Sequence, residues 1–203
     1  MIQDSDITTN QSLGNKKNPP WVDKFQQYLK DNFKKRNNLW RLLWFAVGLV
    51  IVLVPSLTCN LLIREGQWPW PGDVQHNPGI AFGAEMPVPL IYFLQSMICI
   101  ILLGCILFMK KWYYILPLAL AFTGGMFNLF DRVAGFPGDP NTVIDYIPTL
   151  WLSDTTSNFP DFSIVGGVIV FAVLYVIFTI IDAFGKNKKA EGDQHGKDPS
   201  PKP

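Results

Sequence analysis

The sequence predicts an all-α integral membrane protein of four transmembrane helices, with both termini cytoplasmic and two outer loops that form a small cradle at the membrane surface. Two observations carry that expectation. Four stretches, 42–63, 86–109, 112–130 and 162–181, contain no Asp, Glu, Lys or Arg. Each is close to the roughly 20 residues that a helix needs to cross a hydrocarbon core about 30 Å thick. The composition agrees: hydrophobic residues make up 49% of the chain and charged ones only 16%, against about a quarter charged in soluble domains. A barrel is excluded because the runs show no period-two alternation, and open strands of this length leave backbone groups unpaired in lipid.

Orientation follows from the cations. Lys16, Lys17, Lys24, Lys30, Lys34, Lys35, Arg36 and Arg41 precede the first span, Lys110 and Lys111 fill the short loop between spans two and three, and Lys186, Lys188 and Lys189 follow span four. Cytoplasmic loops carry this excess of Lys and Arg. The two long loops contain only Arg64 and Arg132, against Glu65, Asp73, Glu85, Asp131, Asp139, Asp145, Asp154 and Asp161, so they face outward. Trp40, Trp44 and Trp112 mark one interface and Trp68, Trp70 and Trp151 the other, as indoles do at headgroup level.

Three regions result. Residues 1–38 form a cytoplasmic extension in which Trp21, Val22, Phe25, Tyr28, Leu29 and Phe33 recur at helical spacing among polar residues, the pattern of an amphipathic helix on a leaflet surface. Residues 39–184 form the four-helix membrane domain. Residues 185–203 are charged and nearly free of apolar side chains, which predicts a disordered cytoplasmic tail. The polar first 38 residues and the length of the first apolar run do not fit a cleavable signal peptide. Cys59, Cys99 and Cys105 lie in apolar stretches without CxxC spacing or neighbouring His, so they read as small apolar fillers.

Chemistry on the outer side is limited to a few residues. Asp131 and Arg132 follow the third apolar run, Asp161 precedes the fourth, and Asp145 lies in the apolar connection 143–151. Carboxylates crowded beside apolar wall have raised pKa values and share a proton. In that state one acts as base on water while the other hydrogen-bonds a scissile carbonyl. A Ser and Lys dyad is disfavoured because the lysines lie on the cytoplasmic side. A zinc or Ser and His mechanism has only His76, with no HExxH motif, and a lone His in an Asn-Pro-Gly loop reads as solvated. Structural roles compete for the same residues. Asp161 suits a cap on span four, Asp131 beside Arg132 suits an ion pair anchoring span three, and Asp139 and Asp154 suit turns.

The motifs in this order resemble the lipoprotein signal peptidases, the signal peptidase II family. Gly124, Asn128, Asp131 and Arg132 stand as in its GxxxNxxDR signature; Val143, Ile144, Asp145 and Tyr146 resemble its VVDF element; Asn158, Asp161 and Gly167 resemble FNxADxxxxxG; and Asn77, Gly79, Ala81 and Phe82 match NxGxAF. The first span departs from the family, reading Leu57-Thr58-Cys59-Asn60 where an Asp followed by a Lys is usual. The resemblance implies an aspartic endopeptidase that removes signal peptides from diacylglyceryl-modified prolipoproteins, cutting before the lipidated Cys. It implies Asp145 and Asp161 as the catalytic dyad. Asn77, Gly79, Asn128, Asp131, Arg132 and Asn158 would then bind substrate or support the site. No metal or organic cofactor is implied. The expected partners are the prolipoprotein substrate and membrane lipid, with no nucleic acid and a monomeric state. The competing readings are an inactive relative that binds lipidated proteins and a small transport or lipid-binding protein. Transport is disfavoured because the apolar runs contain no ionisable Asp, Glu, Lys or Arg.

Overall fold

The computed structural model describes residues 19–32, 35–69, 74–80, 84–135, 138–149 and 155–195. Along the chain these form α1 (Pro20–Asn32), α2 (Lys35–Arg64), β1 (Gln75–Asn77), α3 (Val88–Phe108), a 3₁₀ turn (Trp112–Tyr114), α4 (Ile115–Ala134), β2 (Val143–Asp145), β3 (Ile147–Pro148), β4 (Thr156–Ser157) and α5 (Phe159–His195). Four segments are long and apolar enough to cross a membrane: Asn38–Arg64, Val88–Phe108, Trp112–Ala134 and Phe159–Gly185. They coincide with the four charge-free runs. The last two extend past them, so Asp131, Arg132 and Asp161 lie inside helices rather than beside them.

α4 is the central helix. Within its most apolar window 56% of residues are buried, against 6% to 17% in the other three spans. Lipid is as apolar as leucine, so helices in a bilayer associate chiefly where small residues let backbones approach. α4 has such residues on three sides. A Cβ on Gly48 of α2 would lie 2.6 Å from the Ala119 Cβ, one on Gly125 would lie 3.1 Å from the Cys99 Sγ of α3, and one on Gly167 of α5 would lie 2.5 Å from the Pro117 carbonyl. α4 ends at Gly135, whose positive φ of 64° lets its N–H turn back to the Asp131 carbonyl at 2.9 Å.

The loops expected to form a small outer cradle carry short strands. β1 pairs antiparallel with β2 in the register Gln75↔Asp145, His76↔Ile144, Asn77↔Val143, and β3 pairs with β4. These segments are too short and too interrupted by Pro and Gly for helices. Pairing across the two long loops satisfies backbone groups that would otherwise be buried without partners.

The far end of the bundle is built differently. Arg41 donates to the Ile106 and Leu107 carbonyls at 2.5 and 2.6 Å, satisfying free groups at the end of α3. Trp44 stacks on Trp112 with ring centroids 5.6 Å apart. Lys111 pairs with Asp182 at 2.9 Å. The predicted amphipathic helix is present as α1. Its Tyr28 hydroxyl donates to the Phe108 carbonyl, and the Lys110 ammonium sits 4.2 Å from the Tyr28 ring centroid. α5 continues to His195, eleven residues into the segment expected to be disordered. The Lys, Ala, Glu and Gln residues there are good helix formers that can extend a helix already nucleated in the membrane.

Candidate active site

The site is assembled at the junction of β2, the start of α5 and the last turns of α4. Asp145 is the final residue of β2. Asn77 sits two places along β1 from its partner Gln75, so both side chains emerge on the same face of the two-stranded sheet. Asn77 Nδ2 donates to Asp145 Oδ2 at 3.0 Å, and Asn158 Nδ2 donates to Asp145 Oδ1 at 2.8 Å. Both amides are oriented by their own backbone. The Asn77 Oδ1 accepts from the Gly79 N–H at 2.9 Å, and the Asn158 Oδ1 accepts from the Asp161 N–H at 2.8 Å. Each amide is therefore held with its NH₂ toward the carboxylate.

The Asn158 bond also settles the capping question. Asn158 is the N-cap of α5 and Asp161 is the third helical residue, a position where an acidic side chain gains from the helix dipole. Asp161 is thus released from capping. Its Oδ1 accepts from Asn128 Nδ2 at 2.6 Å and its Oδ2 from the Ser157 hydroxyl at 3.0 Å. Asn128 reaches it because Gly124, one turn earlier on the same face of α4, has no side chain: a Cβ there would meet the Pro160 carbonyl at 2.5 Å. The Oδ1 of Asn128 is buried without a hydrogen-bond partner.

Asp145 is 3% exposed. Burial, with the charge of Asp161 added, pushes its carboxyl up to about 7; the Asn77 and Asn158 hydrogen bonds and the charge of Arg132 oppose the rise. A carboxyl so placed still holds a proton in part near pH 7. Next to it, burial also pushes the Tyr146 phenol up. Its oxygen accepts from the Phe159 N–H at 3.3 Å, tying the residue after Asp145 to the first residue of α5.

Arg132 differs from its expected role. Adjacent residues on a helix point about 100° apart, and Asp131 and Arg132 use that divergence instead of pairing. Arg132 donates to the carbonyls of Asn77, Pro78 and Asn141 at 3.4, 3.3 and 2.9 Å, and to the Gly79 carbonyl. It clamps the two loops over the site rather than gripping a carboxylate. Asp131 faces the other way and accepts from Asn60 Nδ2 of α2 at 2.7 Å. His76, expected to be solvated, is paired with Asp139 at 2.6 Å across the same two loops. Ala81, Phe82 and Asp154 lie outside the described residues.

The sequence reading therefore located Asp145, Asp161, Asn77, Asn128 and Asn158, and the fold brings all five together. It missed Ser157, Asn60 and the Tyr146 hydroxyl. Ser157 lies four residues before Asp161, in reach only because the chain turns at Asn158, and Asn60 is 71 residues from its partner, so no local pattern marks it.

Four apolar helices with two amide-held carboxylates, Asp145 buried and Asp161 half-buried, define a multi-pass membrane protein equipped for acid and base chemistry. Residues 73–178 match the model of the signal peptidase (SPase) II family, and the chain belongs to that family of aspartic peptidases. It is 26% identical over 190 residues to the lipoprotein signal peptidase of Malacoplasma penetrans (strain HF-2), covering 84% of this chain and 78% of that one. It is 32% identical over 123 residues to the lipoprotein signal peptidase of Mycoplasmoides gallisepticum (strain R(low / passage 15 / clone 2)), covering 58% of this chain and 40% of that one. Two solved structures of bacterial membrane enzymes, determined by the in meso method, share the fold. They give TM-scores of 0.53 and 0.50 at 18% identity, covering 68% and 67% of this chain and 88% and 91% of theirs.

Proposed function

We propose that the chain cleaves the signal peptide from diacylglyceryl-modified prolipoproteins, immediately before the lipidated Cys, with Asp145 and Asp161 as its catalytic dyad. The observation that carries the reading is the asymmetry between the two carboxyls. Asp145 is buried and inclined to keep a proton to about pH 7, while Asp161 accepts from Asn128 and Ser157. Asp161 takes a proton from water as the oxygen attacks the scissile carbonyl carbon, and Asp145 gives its proton to the carbonyl oxygen. The tetrahedral diol then collapses. Asp145 recovers a proton from one hydroxyl and Asp161 delivers its own to the departing amide nitrogen, which regenerates the dyad. The unpartnered Asn128 Oδ1 suits a backbone N–H of the substrate. Asn77 and Asn158 set the geometry of Asp145, and Arg132 holds the loops that close over it.

The same reading assigns both termini to the cytoplasm and the dyad to the outer face. The cations Arg41, Lys110 and Lys111 gather at the end of the bundle opposite the carboxylates, as the positive-inside rule requires. A substrate anchored by its diacylglycerol presents its cleavage point at the membrane boundary, where the start of α5 and the end of α4 meet. The deciding experiment is cleavage of a diacylglyceryl-modified prolipoprotein by purified protein in detergent. Wild type is expected to cut before the lipidated Cys, and Asp145→Asn and Asp161→Asn are expected to be inert although folded. A folded wild type that binds this substrate without cutting it would replace the reading with that of a binding protein.

A further inference from the structure

The end of the bundle opposite the dyad holds a cavity of about 340 Å³, within the range of about 300–1,000 Å³ that small-ligand sites occupy. It lies where the end of α3, the turn into α4 and the stretch of α5 around Thr179 come together. Lys110, Lys111, Tyr114, Tyr175 and Asp182 line it, with Tyr28 contributed by α1. The two lysines are not equivalent. Lys111 is paired with Asp182 at 2.9 Å, so its charge is largely cancelled. Lys110 has no carboxylate partner among the described residues, and its ammonium sits 4.2 Å from the centroid of the Tyr28 ring. That ring is itself held in place. The Tyr28 hydroxyl donates to the Phe108 carbonyl, and the Phe25 ring of α1 lies 6.4 Å from the Phe108 ring. A ring face attracts a cation without neutralising it. The cavity therefore has two cations against one carboxylate, and the uncancelled ammonium is fixed at its wall.

The position along the bundle says what carries the complementary charge. Trp44 and Trp112 stack at this end, and indoles gather at headgroup level. On α1, Trp21 and Phe25 are 69% and 48% exposed, which suits a helix lying in the same layer. Leu107 and Phe108, at the end of α3, are exposed as well, and they offer acyl chains an apolar surface beside the polar opening. We propose that this cavity binds the anionic phosphate headgroup of a glycerophospholipid of the cytoplasmic leaflet, with Lys110 as the cation that meets the phosphate. Tyr28 positions that cation. Asp182 limits the attraction, because it occupies Lys111.

Native mass spectrometry of the purified full chain in detergent tests this. The chain is titrated with dioleoylphosphatidylglycerol or with dioleoylphosphatidylcholine, and the occupancy of the first bound lipid is read. One lysine near a membrane surface is worth about fivefold in the binding of an anionic lipid. Wild type is therefore expected to bind phosphatidylglycerol at least about fivefold more tightly than phosphatidylcholine, and Lys110→Gln to lose that preference. Asp182→Asn leaves Lys111 uncancelled and is expected to tighten phosphatidylglycerol binding by about fivefold, a gain that a damaged fold does not produce. Lys24→Gln, on α1 but outside the cavity, is expected to keep the wild-type preference. Inorganic phosphate added in excess is expected to leave the lipid bound.

Equal affinity for the two lipids, an unchanged preference in Lys110→Gln or no gain in Asp182→Asn would overturn the proposal. So would a lost preference in Lys24→Gln, since the attraction would then be one of diffuse charge. Displacement of the lipid by inorganic phosphate would replace a lipid site with one for a free anion. If Lys110→Gln fails to fold, Asp182→Asn still decides. The choice of leaflet rests on the orientation proposed above, which fails separately if a membrane-impermeant maleimide on intact cells labels Lys110→Cys above the wild-type level.

Discussion

The two ends of the bundle use the same residue types to opposite effect. At the site end, Asp145, Asp131 and Arg132 are nearly inaccessible, and their partners are amides and carbonyls in fixed positions. At the far end, Lys111 and Asp182 form an ion pair at 2.9 Å with both side chains substantially exposed, 40% and 58%. That pair holds the Lys111 ammonium more firmly in its charged form, chiefly through the hydrogen bond to Asp182, yet solvent screens such contacts and they contribute little to stability. Buried groups face the reverse condition. Each loses its hydration, so each unsatisfied partner is costly and each satisfied one fixes a geometry. The contrast teaches that burial, rather than the presence of charge, separates carboxylates with fixed partners from merely solvated ones in this chain.

The largest expected effect breaks the comparison at its centre. Asp145→Asn or Asp161→Asn should reduce cleavage by at least about 1000-fold, read on a gel shift of lipidated substrate, with the protein still recovered from membranes.

Next in size, Arg132→Ala removes a buried cation that holds carbonyls of both loops. Hydrogen bonds to charged groups are worth about 1.5–3 kcal/mol each, so a loss of several kcal/mol is expected. It should appear as a lower melting temperature and poor recovery. Arg132→Lys should rescue only partly, since an ammonium lacks the planar fork.

A smaller effect tests the close approach of α4 and α5. Gly124→Ala forces a Cβ against the Pro160 carbonyl and Ile164, whereas Gly104→Ala on α3 meets nothing within 4 Å. Overpacking costs about 1–3 kcal/mol. Gly124→Ala should therefore lower the melting temperature and the cleavage rate together, and Gly104→Ala neither.

The pH dependence sharpens the comparison further. With Asp145 titrating at about 7, its proton is present below that value and lost above it, so cleavage should decline as pH rises through about 7. The Asn77 amide favours the ionised form. Asn77→Ala should thus move the alkaline limb to higher pH, by about half a unit to one unit, in a pH–rate profile. An unmoved limb would separate Asn77 from the titrating group. At the far end, Lys111→Gln should change neither cleavage nor melting temperature detectably.

Much of the architecture is legible in composition alone. Long charge-free runs admit a single solution in lipid, because every backbone group must be satisfied within the segment, and the four spans follow from that requirement. Helix ends are harder to read. Arg132 and Asp161 belong to helices because their partners are already in place, and those partners come from other parts of the chain. The candidate carboxylates are also legible, since Asp161 lies at the start of a span and Asp145 in the apolar connection before it.

The partners of those carboxylates are a different matter. Asn158 as cap of α5, Asn77 in register with β2 and Asn128 opposite Gly124 are each one polar residue among many in the sequence. Their roles emerge when α4, α5 and the β1–β2 pair converge. Asp131 turning to Asn60 instead of Arg132 has the same origin. A local pair is the simplest expectation from neighbouring residues, but helical geometry points adjacent side chains apart, and distant donors then fill the space. Sequence alone carries what the solvent demands of each segment, the apolar lengths, the cation bias and the reactive residue types. Distances between segments depend on packing, and packing is where a carboxylate acquires its donors, its burial and its raised proton affinity.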